Sequence, residues 1–113
     1  MKEILYYTKP NNKSPLKEWL KSLDNSIRIK IIKRINRMAD GNYGDWKTLT
    51  NTELAELRIM TNKGYRIYFK ELDNVLILLL AGGDKSTQKK DIEKASLYYQ
   101  DFIERLYGEQ NGQ

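Results

Sequence analysis

Between Leu54 and Thr87 the chain carries three extended-type stretches, Glu56 to Ile59, Gly64 to Phe69 and Val75 to Ala81, separated by only a few turn-type residues. Connections that short leave consecutive strands one simple arrangement, side by side and antiparallel, so a three-strand meander is predicted. Asn62-Lys63-Gly64 suits a three-residue hairpin loop with Gly64 in the left-handed position of a bulge, and Asp73-Asn74 makes the second turn. That loop places Thr61 opposite Tyr65, Ile59 opposite Ile67 and Leu57 opposite Phe69 on a core face. The other face then pairs Met60 with Arg66, Arg58 with Tyr68 and Glu56 with Lys70. The nearly continuous apolar run from Val75 to Ala81 marks an interior strand.

The flanks supply helices. Ile4 to Thr8 reads as a first strand, followed by a polar link through Pro10 and two Asn residues. Ser14-Pro15 reads as N-cap and first helical residue, and Leu16, Trp19, Leu20 and Leu23 then recur at helical spacing. A second helix is predicted from Ile27 to Ala39, with Ile27, Ile31, Ile35 and Met38 inward and Gly41 at its end. Asn42 to Asn51 is expected to be a loop, anchored by Leu49. After Gly82-Gly83-Asp84, Ser86 or Thr87 caps a final helix to Tyr107 that buries Ile92, Ala95, Tyr99, Phe102 or Ile103, and Leu106. Residues 1–107 are expected to form one domain and 108–113 a flexible tail.

Composition removes several chemistries. With no cysteine and no histidine, the chain has no thiolate nucleophile, no Ser-His relay and few means of holding a transition metal. Asp84 is expected to cap the following helix rather than to bind metal, since no suitably spaced carboxylate accompanies it. No apolar run approaches the roughly 20 residues of a membrane span. Met1-Lys2-Glu3-Ile4 passes directly into a strand-like segment without a signal-peptide pattern, so a cytoplasmic protein is expected. Twenty basic against fifteen acidic residues leave a formal charge of +5, which fits a polyanion or an acidic protein partner.

The candidate chemistry lies on the polar half of the meander. Arg58, Arg66, Tyr68 and Lys70 share one predicted strand face, Lys85 leaves the strand edge beside it, and Lys89 and Lys90 open the next helix. Arginine forks grip phosphoryl oxygens bidentately and stabilise growing negative charge, while an aromatic ring can stack a base. The same pattern also describes a solvated sheet face covered by long charged side chains. A second basic row, Lys30, Lys33, Arg34 and Arg37, lies opposite the apolar stripe of the second helix and is read either as an RNA-contacting ridge or as a solvated helix face.

Two of these segments, Gly64-Tyr65-Arg66-Ile67-Tyr68-Phe69 and Leu79-Leu80-Ala81-Gly82-Gly83-Asp84-Lys85-Ser86-Thr87-Gln88-Lys89-Lys90-Asp91-Ile92-Glu93-Lys94-Ala95, resemble the HigB-like, phage-derived branch of the RelE/ParE toxin superfamily. Its members, also called addiction module killer proteins, are the toxin halves of bacterial type II toxin–antitoxin modules. The resemblance runs from about Leu16 to Phe102, and its specific part lies between Leu54 and Ala95. It implies an α+β, RelE-like fold: a small antiparallel sheet of the N-terminal strand plus the meander, packed against two N-terminal helices, with a C-terminal helix.

The resemblance also implies an activity. Such toxins dock mRNA in the ribosomal decoding site, where the RNA's own 2′-hydroxyl attacks the adjacent phosphate, leaving a 2′,3′-cyclic phosphate and a 5′-hydroxyl without metal or cofactor. Arg66 matches the family arginine at the scissile phosphate, Arg58 stands near a strand Lys or Arg, and Lys85 matches a second phosphate-binding residue. Tyr68 or Lys85 is the candidate base, with Lys70, Lys89 and Lys90 as further RNA contacts. Gln88 and Asp91 stand where several relatives carry Tyr or His, a departure that leaves the acid and base open. The implied partners are a helix-turn-helix, HigA-like antitoxin, the ribosome and mRNA. Two alternatives on the same fold are a ParE-like poison of DNA gyrase and a binding protein without catalysis.

Overall fold

The computed structural model describes residues 1–59 and 61–111, with side chains described through residue 108. In chain order it contains β1 (Glu3–Tyr6), α1 (Pro15–Lys21), α2 (Asn25–Met38), β2 (Trp46–Thr48), β3 (Ala55–Ile59), β4 (Tyr65–Leu72), β5 (Leu76–Gly83), a 3-10 turn (Lys85–Thr87) and α3 (Gln88–Asn111). The strands form one sheet in the order β1-β5-β4-β3-β2. The fold is therefore α+β, as expected, with the antiparallel meander β3-β4-β5 at its centre.

Two features of the sheet differ from the sequence reading. β1 lies parallel to β5, so the sheet is mixed rather than wholly antiparallel. A parallel neighbour needs a long crossover, and the chain between β1 and β5 provides one. β2 forms inside the expected Asn42–Asn51 loop, pairing Trp46, Lys47 and Thr48 with Leu57, Glu56 and Ala55. Three exposed residues carry no usable period; the free edge of β3 orders them.

The β3–β4 register also differs, by two residues. Ile59 faces Tyr65, Arg58 faces Arg66, Leu57 faces Ile67, Glu56 faces Tyr68 and Ala55 faces Phe69. The expected Ile59–Ile67, Arg58–Tyr68 and Glu56–Lys70 pairs do not form; Met60 lies outside the described residues. The cause is the hairpin: the Gly64 amide donates to both the carbonyl and the hydroxyl of Thr61, so the tight turn occupies residues expected to extend the ladder. A slip of two keeps every side chain on its expected face, which is why the apolar pattern did not expose it. The second turn is as expected. Asp73 and Asn74 both adopt positive φ, and the Val75 amide donates to Leu72, a type I′ geometry.

Local capping sets the helices. The Ser14 hydroxyl accepts from the Lys17 amide at 3.2 Å, with Pro15 in the first helical turn. Asp24 caps α2 through the Ser26 amide and hydroxyl, so α2 begins two residues before Ile27. Hydrogen bonds from Ser26 also hold the Asp24 carboxyl below its usual pKa. Asp84 caps the 3-10 turn that leads into α3 through the Ser86 amide at 2.8 Å, the capping role expected of it, and Ser86 and Thr87 lie within that turn rather than capping the helix themselves.

The helices cover opposite faces. Leu16 and Leu20 of α1 and Ile31, Ile35 and Met38 of α2 pack on Leu57, Ile67, Phe69, Ile77 and Leu79. On the other face Ile92, Ala95, Tyr98, Tyr99 and Phe102 of α3 pack on Leu54, Tyr68, Leu78, Leu80 and Ala81. Leu106, expected in the core, is exposed. α3 continues through Asn111, so residues 108–111 are helical rather than the expected tail; Gly112 and Gln113 lie outside the described residues. The Tyr7 hydroxyl donates to Asp101 at 2.6 Å and its ring stacks on Tyr98, tying α3 to the residue after β1.

Two adjacent glycines let the helices approach. A Cβ at Gly82 would lie 2.5 Å from the Trp19 ring of α1, whereas a Cβ at Gly83 would lie 1.8 Å from the Asp91 carboxylate of α3. Consecutive strand residues face opposite ways, so each glycine admits one helix. No helix among the described residues is long and apolar enough to cross a membrane.

Candidate functional site

The sequence reading puts Arg58, Arg66, Tyr68 and Lys70 on one open sheet face. The structure lays α3 across that face, and the row is divided. Tyr68 is fully buried, and among the described residues its hydroxyl has no hydrogen-bond partner. Burial first, and then the negative charges of Glu56 and Asp91, push its pKa well above the usual phenol value. In this arrangement Tyr68 is a core residue under α3; it neither presents a ring for base stacking nor offers a phenolate near neutral pH. Lys70 lies four residues along β4 from Arg66, about 13 Å away, with its ammonium 6.0 Å from the centre of the Tyr99 ring.

Arg66 and Lys85 come together. The Lys85 amide donates to the Lys63 carbonyl at 3.2 Å, joining the β3–β4 hairpin to the β5–α3 junction. Gly64, at φ +65°, sits between them. A Cβ there would be 3.1 Å from Arg66 Nη1 and 3.4 Å from the Lys85 stem. Through Gly64 the arginine folds back so that Nη1 donates to the Gly64 carbonyl at 2.7 Å. One corner thus gathers Lys63, Arg66 and Lys85, with exposed Lys89 and Lys90 at the start of α3 beside it. These cationic side chains at one corner suit a phosphate group.

Arg58 has its own partner. It stands directly opposite Arg66 in the ladder, a like-charge pairing that destabilises a sheet unless compensated. Each arginine has a carboxylate. Arg58 Nε and Nη2 both donate to Asp45 Oδ1, at 3.2 and 2.9 Å, while Arg66 Nε lies 3.6 Å from Glu56 Oε1. Glu56 is 1% exposed. Its Oε1 accepts from Gln88 Nε2 at 3.1 Å, and Lys47 Nζ stands 4.0 Å from Oε2. Asp91 completes the cluster beneath α3, accepting from the Thr87 hydroxyl at 2.5 Å.

The second basic row is also divided. Lys30, Lys33 and Arg37 are exposed on α2, on the opposite side of the sheet from the Arg66 corner. Arg34 is not part of a ridge. Its Nη1 donates to the Arg58 carbonyl at 2.9 Å and its Nη2 to the Tyr43 carbonyl at 3.0 Å, so it clamps the loop before β2 onto β3. Burial lowers its pKa from the usual value, yet a guanidinium stays charged at neutral pH.

Sequence reasoning missed Glu56, Lys63 and Asp45 as parts of this site. Glu56 was paired with Lys70 by the shifted register, and Lys63 was a loop residue only. A signal for Glu56 was present: it is an acidic residue on a face destined to be covered, and a covered carboxylate requires a cation. Among the described residues no group of three or more Asp or Glu side chains is placed to hold a metal ion.

Residues 18–100 match the model of the family described as phage derived protein Gp49-like (DUF891). An uncharacterized protein of Haemophilus influenzae is 49% identical over 85 residues, covering 74% of this chain and 85% of that relative. The family match runs from within α1 into α3 and includes Glu56, Arg58, Lys63, Arg66 and Lys85. The chain belongs to the Gp49-like phage-derived protein family, which is associated with toxin–antitoxin modules.

Proposed function

We propose that this protein is the toxin of a type II toxin–antitoxin module, and that it stops translation by cutting mRNA on the ribosome. The observation carrying this reading is the corner at Gly64, where the hairpin and the β5–α3 junction set Arg66 beside Lys85. Docked mRNA places a backbone phosphate between the guanidinium and the ammonium. The 2′-hydroxyl of the preceding nucleotide attacks that phosphorus and gives its proton to a base, water or the Lys85 amine, while the P–O5′ bond breaks and the leaving O5′ takes up a proton from solvent. The products are a 2′,3′-cyclic phosphate and a 5′-hydroxyl. Arg66 and Lys85 stabilise the negative charge that grows on the phosphoryl oxygens. Burial takes Tyr68 out of the proton-transfer role, leaving Lys85 as the titratable side chain of the expected set at the reacting phosphate.

Lys89 and Lys90 extend the positive surface along the RNA backbone, and Lys30, Lys33 and Arg37 meet ribosomal RNA on the far side of the molecule. A cognate antitoxin, helix-turn-helix and HigA-like, neutralises the toxin. No cofactor takes part.

Primer extension on a defined mRNA, in a cell-free translation reaction and on the same mRNA without ribosomes, tests the reading. New 5′ ends within codons only when ribosomes are present are the expected result. Cuts on naked RNA replace it with a ribosome-independent nuclease. Intact mRNA in both reactions, combined with inhibited supercoiling, moves the assignment to a gyrase poison. Intact mRNA with normal supercoiling leaves a binding protein without catalysis.

A further inference from the structure

Among the described residues, the α3-covered face holds three buried side-chain atoms that lack a hydrogen-bond partner: Glu56 Oε2, Arg66 Nε and Tyr68 Oη. They converge on one spot, under the first residues of α3 and behind the Gly64 corner. Buried polar groups are normally satisfied, and an apolar cluster of equal volume commonly stabilises a fold as well or better. Stability alone therefore gives no reason for a carboxylate 1% exposed beside an arginine that still reaches the surface.

The geometry of Arg66 supplies a reason. One edge of its guanidinium is hydrogen-bonded and another lies within ion-pair distance of a carboxylate. Nε faces the Glu56 carboxylate at 3.6 Å, and Nη1 donates to the Gly64 carbonyl at 2.7 Å. Among the described residues Nη2 has no hydrogen-bond partner. Without Glu56, this guanidinium would face Arg58 across the ladder and Lys85 at the corner without a carboxylate of its own, since Asp45 is engaged by Arg58. Gln88 Nε2 donates to the same oxygen, Glu56 Oε1, that faces Arg66, so the carboxylate is tied to the start of α3.

We infer that Glu56 is a positioning residue: its buried carboxylate holds the Arg66 guanidinium in one orientation, with the Nη2 edge free to take a phosphate. The inference rests on the proposed reading of Arg66 as the phosphate-binding group and adds the group that acts through it. Glu56 touches no substrate. Its own burial excludes it as the base that takes the 2′-hydroxyl proton.

The test uses Glu56→Gln, which keeps shape and removes charge, together with Arg66→Ala and the double variant. Three quantities are read: melting temperature, single-turnover cleavage on programmed ribosomes, and the Arg66 Nε–H resonance in a nitrogen-15 spectrum. Glu56→Gln is expected to melt below the wild-type temperature, because Arg66 loses its buried counter-charge, and to shift or broaden that resonance. Its maximal cleavage rate should fall about 100-fold, the scale of a misplaced reacting group, with apparent ribosome affinity within about 2-fold. The double variant should cut no more slowly than Arg66→Ala, because the two residues act as one unit. Wild-type cleavage by Glu56→Gln, or additive losses in the double variant, overturns the inference. Should Glu56→Gln fail to fold, Gln88→Ala removes the carboxylate's second support. A reduced rate and a shifted Arg66 resonance then support positioning, and an unchanged rate overturns it.

If wild-type protein leaves mRNA intact, the toxin reading fails, and inorganic phosphate decides the positioning claim separately. A saturable shift of the Arg66 resonance in wild type that is lost in Glu56→Gln supports it; equal shifts in both proteins, or none in wild type, overturn it.

Discussion

The two faces of the sheet are built on different terms. Beneath α1 and α2, Leu57, Ile67, Phe69, Ile77 and Leu79 form an apolar layer essentially inaccessible to solvent, and the polar groups at its margin, Lys2, Tyr43 and Glu71, are hydrogen-bonded to one another. Beneath α3, equally buried Tyr68, Leu78 and Leu80 share the layer with Glu56, Asp91 and the stem of Arg66. The first face stabilises the fold through area and close packing. The second gives up part of that stabilisation to keep charge near the Gly64 corner. Among the described residues, the buried side-chain atoms without a hydrogen-bond partner all lie on this second face, which accords with the proposed site at its corner.

The largest effect expected from breaking this contrast is on the apolar face. Phe69→Ala should cost about 3–5 kcal/mol, a large share of a small domain's stability, read as a lower melting temperature and denaturation midpoint. Next come the neighbouring glycines. Gly82→Ala drives a methyl into the Trp19 ring and Gly83→Ala drives one into the Asp91 carboxylate, each costing about 1–3 kcal/mol. Adding Asp91→Ala should relieve the Gly83 variant and leave the Gly82 variant unrelieved; denaturant titration of the four proteins would show whether the faces respond independently.

Alkaline pH should act more weakly, through raised phenols on both faces, Tyr6 and Tyr43 under the α1/α2 side and, with the larger shifts, Tyr7 and Tyr68 under α3. Burial, followed by the hydrogen bond to Asp101, pushes the Tyr7 phenol up to about 12, and Tyr68 is raised as well. Below pH ~10 these phenols are protonated in both folded and unfolded chains, so their contribution to stability is fully present. As pH rises towards the folded values the unfolded chain ionises first, and stability falls. Tyrosinate absorbance followed with helical circular dichroism should show late-ionising phenols appearing together with loss of structure. Tyr68→Phe has the smallest expected effect. It removes a buried hydroxyl without a partner, so stability should hold or rise by about 1 kcal/mol, the opposite sign to Phe69→Ala.

Much of the apolar face was legible in the sequence, because its signals are periodic and local. The stripe Ile31, Ile35, Met38, the Ser14-Pro15 start and the Asp73-Asn74 turn all stand in the structure as read. The α3 face was less legible. The side on which the final helix packs is a long-range choice, and it turned an anticipated open row of Arg58, Arg66, Tyr68 and Lys70 into a covered cluster with one exposed corner. The hairpin register slipped by two because both registers keep the same side chains inward. Arg34 looked like its neighbours Lys33 and Arg37 by spacing, and only the fold around Gly44 and Asp45 shows it facing backbone carbonyls.

The most direct measurement compares wild-type protein, Arg66→Ala and Tyr68→Phe in ribosome-dependent primer extension, with melting temperatures recorded for all three. Cleavage by wild type and by Tyr68→Phe, and a loss of at least about 100-fold in a folded Arg66→Ala, is the expected result. Full cleavage by Arg66→Ala, or its loss in a folded Tyr68→Phe, would contradict the assignment of the working site to the Gly64 corner.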